Sequence, residues 1–384
     1  MIQRSIAPTF RKLAKDFKAI ALTGPRQSGK TTLAKMEFQK KPYVSLENPD
    51  ERNFALSDPR GFLSQFPEGA ILDEVHRTPE LFSYLQQILD ENPARGRFVL
   101  SGSNNFLLLE SISQTLAGRV GYLDLLPFSL AEILKSPQAS SDLNAILFSG
   151  GYPAIVHDHL NPKTWFAGYV RTYIERDVRL IKNISDLTLF QRLLYLCAGR
   201  VGQQLNLTSL ANDVGLDHKT VQSWLGVMQA SYILYLLPPY FKNFNKRITK
   251  APKLYFYDTG LVSYLLGITD PKQLVNHPFR GALFENFIIT ELLKNRFNKG
   301  ERSNLFYFRD STGNELDVII HEGQKLIPAE IKSSSTINEG FFKNFSYWEK
   351  LTGNKGGILF HGGIQKDHVR NSVRVKSWTS VNSV

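Results

Sequence analysis

Short apolar runs that stop on glycine or on polar residues punctuate the first third of the chain. Ala19-Ile20-Ala21-Leu22-Thr23, Ala70-Ile71-Leu72-Asp73-Glu74 and Arg97-Phe98-Val99-Leu100-Ser101 are too short for helices and predict buried strands. A helix is expected after the first, from Thr32 through Met36. Further on the pattern turns helical. Trp165 to Lys182 is amphipathic and basic, and Thr188 to Ala198 repeats Leu at helical spacing. From Leu207 to Leu225 two helices are predicted around Gly215, the first capped by Thr208 and the second by Asp217, with Val221, Trp224 and Leu225 facing inward. A helix with Glu285 near its start and three strands, Leu305–Arg309, Gly313–Ile320 and Leu326–Ser333, close the chain. The apolar run Tyr232 to Leu237 ends at Pro238 and Pro239 and falls short of the ~18 residues that span a bilayer.

Composition narrows the class. A length of 384 residues predicts two to three domains, and 42% hydrophobic with 21% charged residues is the balance of a folded protein. The single cysteine, Cys197, excludes an intramolecular disulfide and an all-cysteine metal cluster. The N-terminal residues lack the apolar core of a secretory signal, so a soluble, cytoplasmic protein without membrane association is expected. The net charge is +11, and it is unevenly spread: residues 1–150 hold 17 Lys/Arg and 16 Asp/Glu, whereas 151–384 hold 29 and 19. A polyanionic partner is therefore sought in the later part.

The first strand leads into Gly24, Pro25, Arg26, Gln27, Ser28, Gly29, Lys30, Thr31 and Thr32, which satisfies G-x-x-x-x-G-K-[ST] between a strand and a helix. Glycines let backbone N–H groups close around phosphate oxygens, Lys30 reaches the β- and γ-phosphates of ATP, and the Thr31 hydroxyl ligates Mg²⁺. Arg26 is either a phosphate contact or a structural clamp. The second strand ends in Asp73 and Glu74, as a Walker B element does. Asp73 would hold Mg²⁺ through water and Glu74 would deprotonate the attacking water. His76 beside them reads as an exposed loop residue or as a support for the acids.

Together with Ile2-x-Arg4, Leu100-Ser101-Gly102-Ser103-Asn104, Leu116-Ala117-Gly118-Arg119-Val120 and Leu125-Leu126-Pro127-Phe128-Ser129, these motifs resemble the prokaryotic AAA-family ATPases that carry a C-terminal domain of unknown function. The resemblance runs through essentially the whole chain. It implies an ATPase core, a helical lid, a winged helix and a nuclease-like terminal domain. By the same resemblance Asn104, or alternatively Ser103, would sense the γ-phosphate. Arg119 would act as a finger in cis or across a subunit contact, or would be a salt-bridged surface residue.

In a DNA-reading helix-turn-helix, His218, Lys219, Gln222 and Ser223 would line the groove-facing surface, and the basic run Lys242 to Lys253, with five cations and no acid, would suit a wing on a phosphate backbone. One Lys and no Arg on that helix favours mainly non-specific contact. Asp317, with Glu330 and Lys332 two apart on the next strand, resembles the PD-(D/E)XK nuclease core in its short Glu-x-Lys form. Asp317 and Glu330 would share a second Mg²⁺ or Mn²⁺ site, Lys332 would activate water and Glu285 would add a contact. The bland reading has these acids salt-bridged to Lys332 and Arg309. The expected architecture is therefore α/β: a P-loop NTPase core of AAA type over 1–140, a helical lid over 141–190, a winged helix-turn-helix over 191–255 and a smaller restriction-endonuclease-like α/β domain over 256–384. The expected function is Mg²⁺-dependent ATP hydrolysis acting on DNA. The alternative is an ATP-driven switch or scaffold for a protein partner, with a silent terminal domain; homo-oligomerisation is left open.

Overall fold

All five residues of β1 (Ala19–Thr23) are buried, because the strand is paired on both edges and covered on both faces. The computed structural model of the chain describes residues 2–102, 108, 112, 114–137, 139–174, 186–240 and 251–383. They form two compact units, Met1–Phe128 with Phe297–Glu301, and Ser129–Arg296 with Arg302–Val384. Among the described residues no helix is long and apolar enough to cross a membrane.

The first unit is a three-layer α/β fold. Its parallel sheet has the order β2-β3-β4-β1-β5, with β2 Tyr43–Ser45, β3 Ile71–Asp73, β4 Phe98–Ser101 and β5 Val120–Asp124. Side chains alternate between two cores, as the pleat requires. Ala19, Ala21, Leu72 and Leu100 pack with Phe62, Phe82 and Leu85. Ile20, Leu22, Ile71 and Val99 pack with Phe10 and Leu33. Burial on both faces explains why these strands read as apolar runs and not as alternating patterns. Strands β1 and β4 lie side by side, and their outgoing connections run to opposite sides of the sheet. That opens a crevice at the carboxyl ends of the strands, where Thr23, Asp73 and Ser101 stand.

In the second unit, the helix Leu207–Val214 ends at Gly215 (φ +84°), and Asp217 caps the helix His218–Ala230 by accepting from Thr220 N. The first of these helices is capped by Asn206, not by Thr208, which lies inside its first turn. Val221, Trp224 and Leu225 are buried as expected. The expected helix Trp165–Lys182 is shorter: Pro162–Tyr169 is α-helical and passes into a π turn over Val170–Ile174, and 175–185 lie outside the described residues. A hairpin of β6 (Leu234–Leu237) and β7 (Lys253–Phe256) follows.

The remaining sheet has the order β12-β13-β11-β10-β9-β8, with β8 Leu305–Arg309, β9 Glu315–Glu322, β10 Lys325–Lys332, β11 Gly357–His361, β12 His368–Arg370 and β13 Val373–Ser377. Strands β8, β9 and β10 are antiparallel, and β10, β11 and β13 are parallel. The hairpin is sewn to this sheet. Tyr307 N donates to Pro238 O, and Tyr240 N donates to Tyr307 O. The buried Asn286 amide, on the helix Arg280–Asn298, bonds both backbone groups of Phe256.

Candidate functional site

The phosphate loop begins where β1 stops. Gly24 has φ +138°, and a Cβ there would lie 2.2 Å from Leu125 O, so only glycine fits. Gly29 (φ +93°) turns the chain into the helix Lys30–Glu37. Lys30 is buried and donates to Gly24 O at 2.9 Å and Pro25 O at 2.8 Å. Among the described residues the buried Ser28 hydroxyl has no hydrogen-bond partner. Arg26 is half-buried, while Gln27 and Thr32 are exposed. Arg4, from the N-terminal segment, clamps the loop: its guanidinium donates to Ser28 O at 2.7 Å and Leu126 O at 2.6 Å and lies 4.7 Å from the centre of the Phe128 ring.

Asp73 gathers the ends of three elements. Its Oδ2 accepts from Thr31 Oγ1 at 2.7 Å and from the Tyr43 hydroxyl at 3.0 Å, and its Oδ1 accepts from Ser101 Oγ at 2.5 Å. Burial, followed by the neighbouring Asp73 charge, pushes the Tyr43 hydroxyl up to about 12, so it stays a donor. Neither Tyr43 nor Ser101 carried a sequence signal for this contact. The Thr31 hydroxyl and the Asp73 carboxylate are hard oxygen donors side by side, a set that fits Mg²⁺. Glu74 has φ +56°, a left-handed conformation of the sort that concentrates at functional sites. Its Oε2 lies 3.3 Å from His76 Nδ1, and both side chains are nearly buried. His76 is therefore not an exposed loop residue.

Asn104 and its alternative Ser103 lie outside the described residues. Arg119 precedes β5, and its carbonyl accepts from Ala19 N at the start of β1, whereas the phosphate loop follows the end of that strand. Five residues of strand, roughly 16 Å, separate them. The guanidinium is held instead by a two-pronged contact with Asp90 at 2.6 and 2.9 Å. A finger role in the chain's own loop is thus ruled out by placement; a second subunit's site and release of Asp90 would be required.

The C-terminal acids converge as the strand pattern implied, and they are neutralised from within. Lys332 Nζ lies 3.0 Å from Asp317 Oδ2 and 2.5 Å from Glu330 Oε2. Ile331 N and Asn344 Nδ2 bond the same two carboxylates. A second ammonium group enters from the hairpin: Lys253 Nζ is 3.1 Å from Glu285 Oε1 and 2.5 Å from Glu315 Oε1, and the Tyr255 hydroxyl donates to Glu285. Arg309 pairs with Glu315 at 3.1 Å. Burial and then the Asp317 charge raise Glu285, and the same two causes push Glu330 up to about 8. Burial would raise Asp317 too, but Lys332 and Lys253 outweigh it and hold it below the usual range.

This arrangement does not fit a bound metal. The position between Asp317 and Glu330 is filled by the chain's own ammonium, and among the described residues no group of three or more His, Cys, Asp or Glu is disposed to hold an ion. Lys253 also corrects the reading of the basic run. It is buried inside the cluster and is not available to a phosphate backbone, while 242–250 lie outside the described residues. On the helix His218–Ala230, His218, Lys219 and Gln222 are exposed and Ser223 is half-buried.

Three family models match the chain: an AAA domain over residues 16–134, a domain of unknown function (DUF8612) over 140–272 and another (DUF4143) over 280–381. An uncharacterized protein of Mycobacterium tuberculosis is 30% identical over 338 residues, covering 87% of this chain and 74% of its own. An uncharacterized protein of Haemophilus influenzae is 23% identical over 213 residues, 52% of each chain. Among solved structures, a Walker-type ATPase of Pyrococcus abyssi aligns over 69% of this chain and 96% of its own, with 13% identity and a TM-score of 0.43.

Proposed function

The chain belongs to the family of the mycobacterial protein and carries an AAA-type P-loop ATPase domain, and on that premise we propose that it hydrolyses ATP at the Gly24–Thr31 loop with Glu74 as base and contacts DNA through its second unit. The observation that carries the hydrolytic reading is the convergence of Thr31 and Ser101 on Asp73 directly beside the phosphate loop, with Glu74 next in the chain. Thr31 and Asp73 would hold Mg²⁺, which supplies charge neutralisation on phosphate oxygens when bound. Lys30 would exchange its contacts with Gly24 O and Pro25 O for β- and γ-phosphate oxygens. Asn104 is retained as the γ-phosphate sensor. Glu74 takes a proton from the attacking water as the water oxygen bonds to the γ-phosphorus. The bond from phosphorus to the bridging oxygen breaks, and ADP leaves with that electron pair.

The test is Glu74→Gln. The variant is expected to bind ATP with unchanged affinity and to turn it over at least about 100-fold more slowly, the usual scale for loss of a general base. A wild-type turnover rate would show that another group activates the water.

Contact with DNA is supported by the exposed His218, Lys219 and Gln222 on a capped helix that follows a glycine turn, and by the basic excess of residues 151–384. The helix pair followed by the β6–β7 hairpin has the order of a winged helix, and the contact is mainly non-specific. For the terminal domain, the ammonium groups of Lys332 and Lys253 among its acids favour the silent reading: a nuclease-like sheet that serves an ATP-driven switch without cutting. Supercoiled DNA incubated with the purified chain and Mn²⁺ is expected to stay intact. Nicking that disappears in Asp317→Ala would reverse that assignment.

A further inference from the structure

The three parallel strands of the second sheet begin along one edge, and there the fold brings together cations that are far apart in sequence. A groove of about 370 Å³ runs across the starts of β10, β11 and β13. Lys325, Lys355 and Arg374 line it, and no carboxylate does. All three are exposed, and none has an ion pair or hydrogen bond through its head group among the described residues. Their neighbours differ: Arg370 on β12 is paired with Glu339, and Lys376 on β13 with Asp367. Local neutralisation therefore stops at the groove.

The floor is built tightly. Asn371 (φ +51°) and Ser372 (φ +64°) form a two-residue left-handed turn between β12 and β13. Gly356 (φ +88°) lets the preceding loop lie against it, since a Cβ there would be 2.7 Å from Ser372 O. The acid cluster stands at the other end of β10, with Glu330 five residues from Lys325, roughly 16 Å along the strand. An anion in the groove thus meets three cations and is kept away from that acid cluster, while Glu322, which stands across from Lys325 in the β9–β10 pairing, does not line the groove.

We propose that this groove binds the phosphodiester backbone of duplex DNA. Lysine ammonium groups and an arginine fork recognise phosphate oxygens without regard to base. The lining holds no aromatic residue on which an unpaired base would stack, which favours a duplex over a single strand. The proposal rests on the DNA reading above and adds a second contact surface to the helix His218–Ala230.

The experiment is fluorescence anisotropy of a labelled duplex with the full chain across a salt series. It compares wild type, the triple variant Lys325→Gln/Lys355→Gln/Arg374→Gln and the helix variant His218→Ala/Lys219→Ala, with circular dichroism to check folding. In the triple variant the slope of log affinity against log salt is expected to fall by about 2–3, because each lost phosphate contact removes about 0.9, while ATP turnover stays at the wild-type rate. If the wild type binds and the folded triple variant matches its affinity and slope, the groove assignment fails and the DNA reading stands. A wild type that does not bind at low salt removes both.

Discussion

Asp73 and Glu330 are both carboxylates surrounded by donors, yet the donors differ in kind. Asp73 is held ready beside a phosphate loop by neutral hydroxyls of Thr31, Tyr43 and Ser101. Glu330 is buried next to Asp317, and its carboxyl is pushed from 4.5 up to about 8 despite Lys332. Below pH 4.5 Glu330 is protonated in both folded and unfolded chains. Between 4.5 and about 8 the unfolded chain ionises it while the folded chain keeps the proton, so this group removes stability as pH rises through that window and no more above it. Glu330→Gln abolishes the titration and is expected to gain stability over the wild type between those limits, by about 1–4 kcal/mol. Thermal melts of both chains across pH would check it, and a difference independent of pH would refute it. At this scale the motif spacing made Lys30, Thr31, Asp73 and Glu74 legible as neighbours. Arg4 and Tyr43 reach the site from positions 24 residues before Ser28 and 30 before Asp73, distances at which no local pattern operates.

The strands of the first sheet and the helix pair around Gly215 followed from runs, caps and turns, because local burial and backbone preference decide such elements. Which elements share a side chain did not follow. Strand β7 delivers Lys253 to Glu285 on a helix and Glu315 on β9, although in sequence Lys253 closes a basic run that reads as a solvated wing. Because Lys253 is buried between two half-buried acids, removing it leaves both without their cation. Lys253→Met is expected to destabilise the chain by about 3–5 kcal/mol, and adding Glu285→Gln to recover part of the loss. Chemical unfolding of the three chains provides the measurement; a loss below about 0.5 kcal/mol would mean that the carboxylates find another partner or take up protons at no cost. Arg119 shows the same limit from the other side. Its position after a helical stretch suits a finger, but the register of β5 with β1 sets it at the strand starts.

Across the whole molecule, the basic excess of residues 151–384 divides by role once the fold is known. Lys253, Lys294 and Lys332 are committed to buried or half-buried acids. Lys219 remains exposed, as do Lys325, Lys355 and Arg374, which converge only because β10, β11 and β13 start along one edge. A charge count cannot make that division, since it sums over partners that lie dozens of residues apart. By itself the sequence determined the phosphate loop, the Asp73–Glu74 pair, the buried strands and the helix pair around Gly215, all of which are set within a few residues by glycine freedom, capping and apolar runs. Tertiary structure alone decided that Tyr43 and Ser101 hold Asp73, that Arg119 stands at the strand starts and not at its own loop, that two lysines occupy the acid cluster, and that three cations without an ion pair among the described residues share a groove. Each of these is a juxtaposition produced by sheet order and register, which short-range preferences leave open.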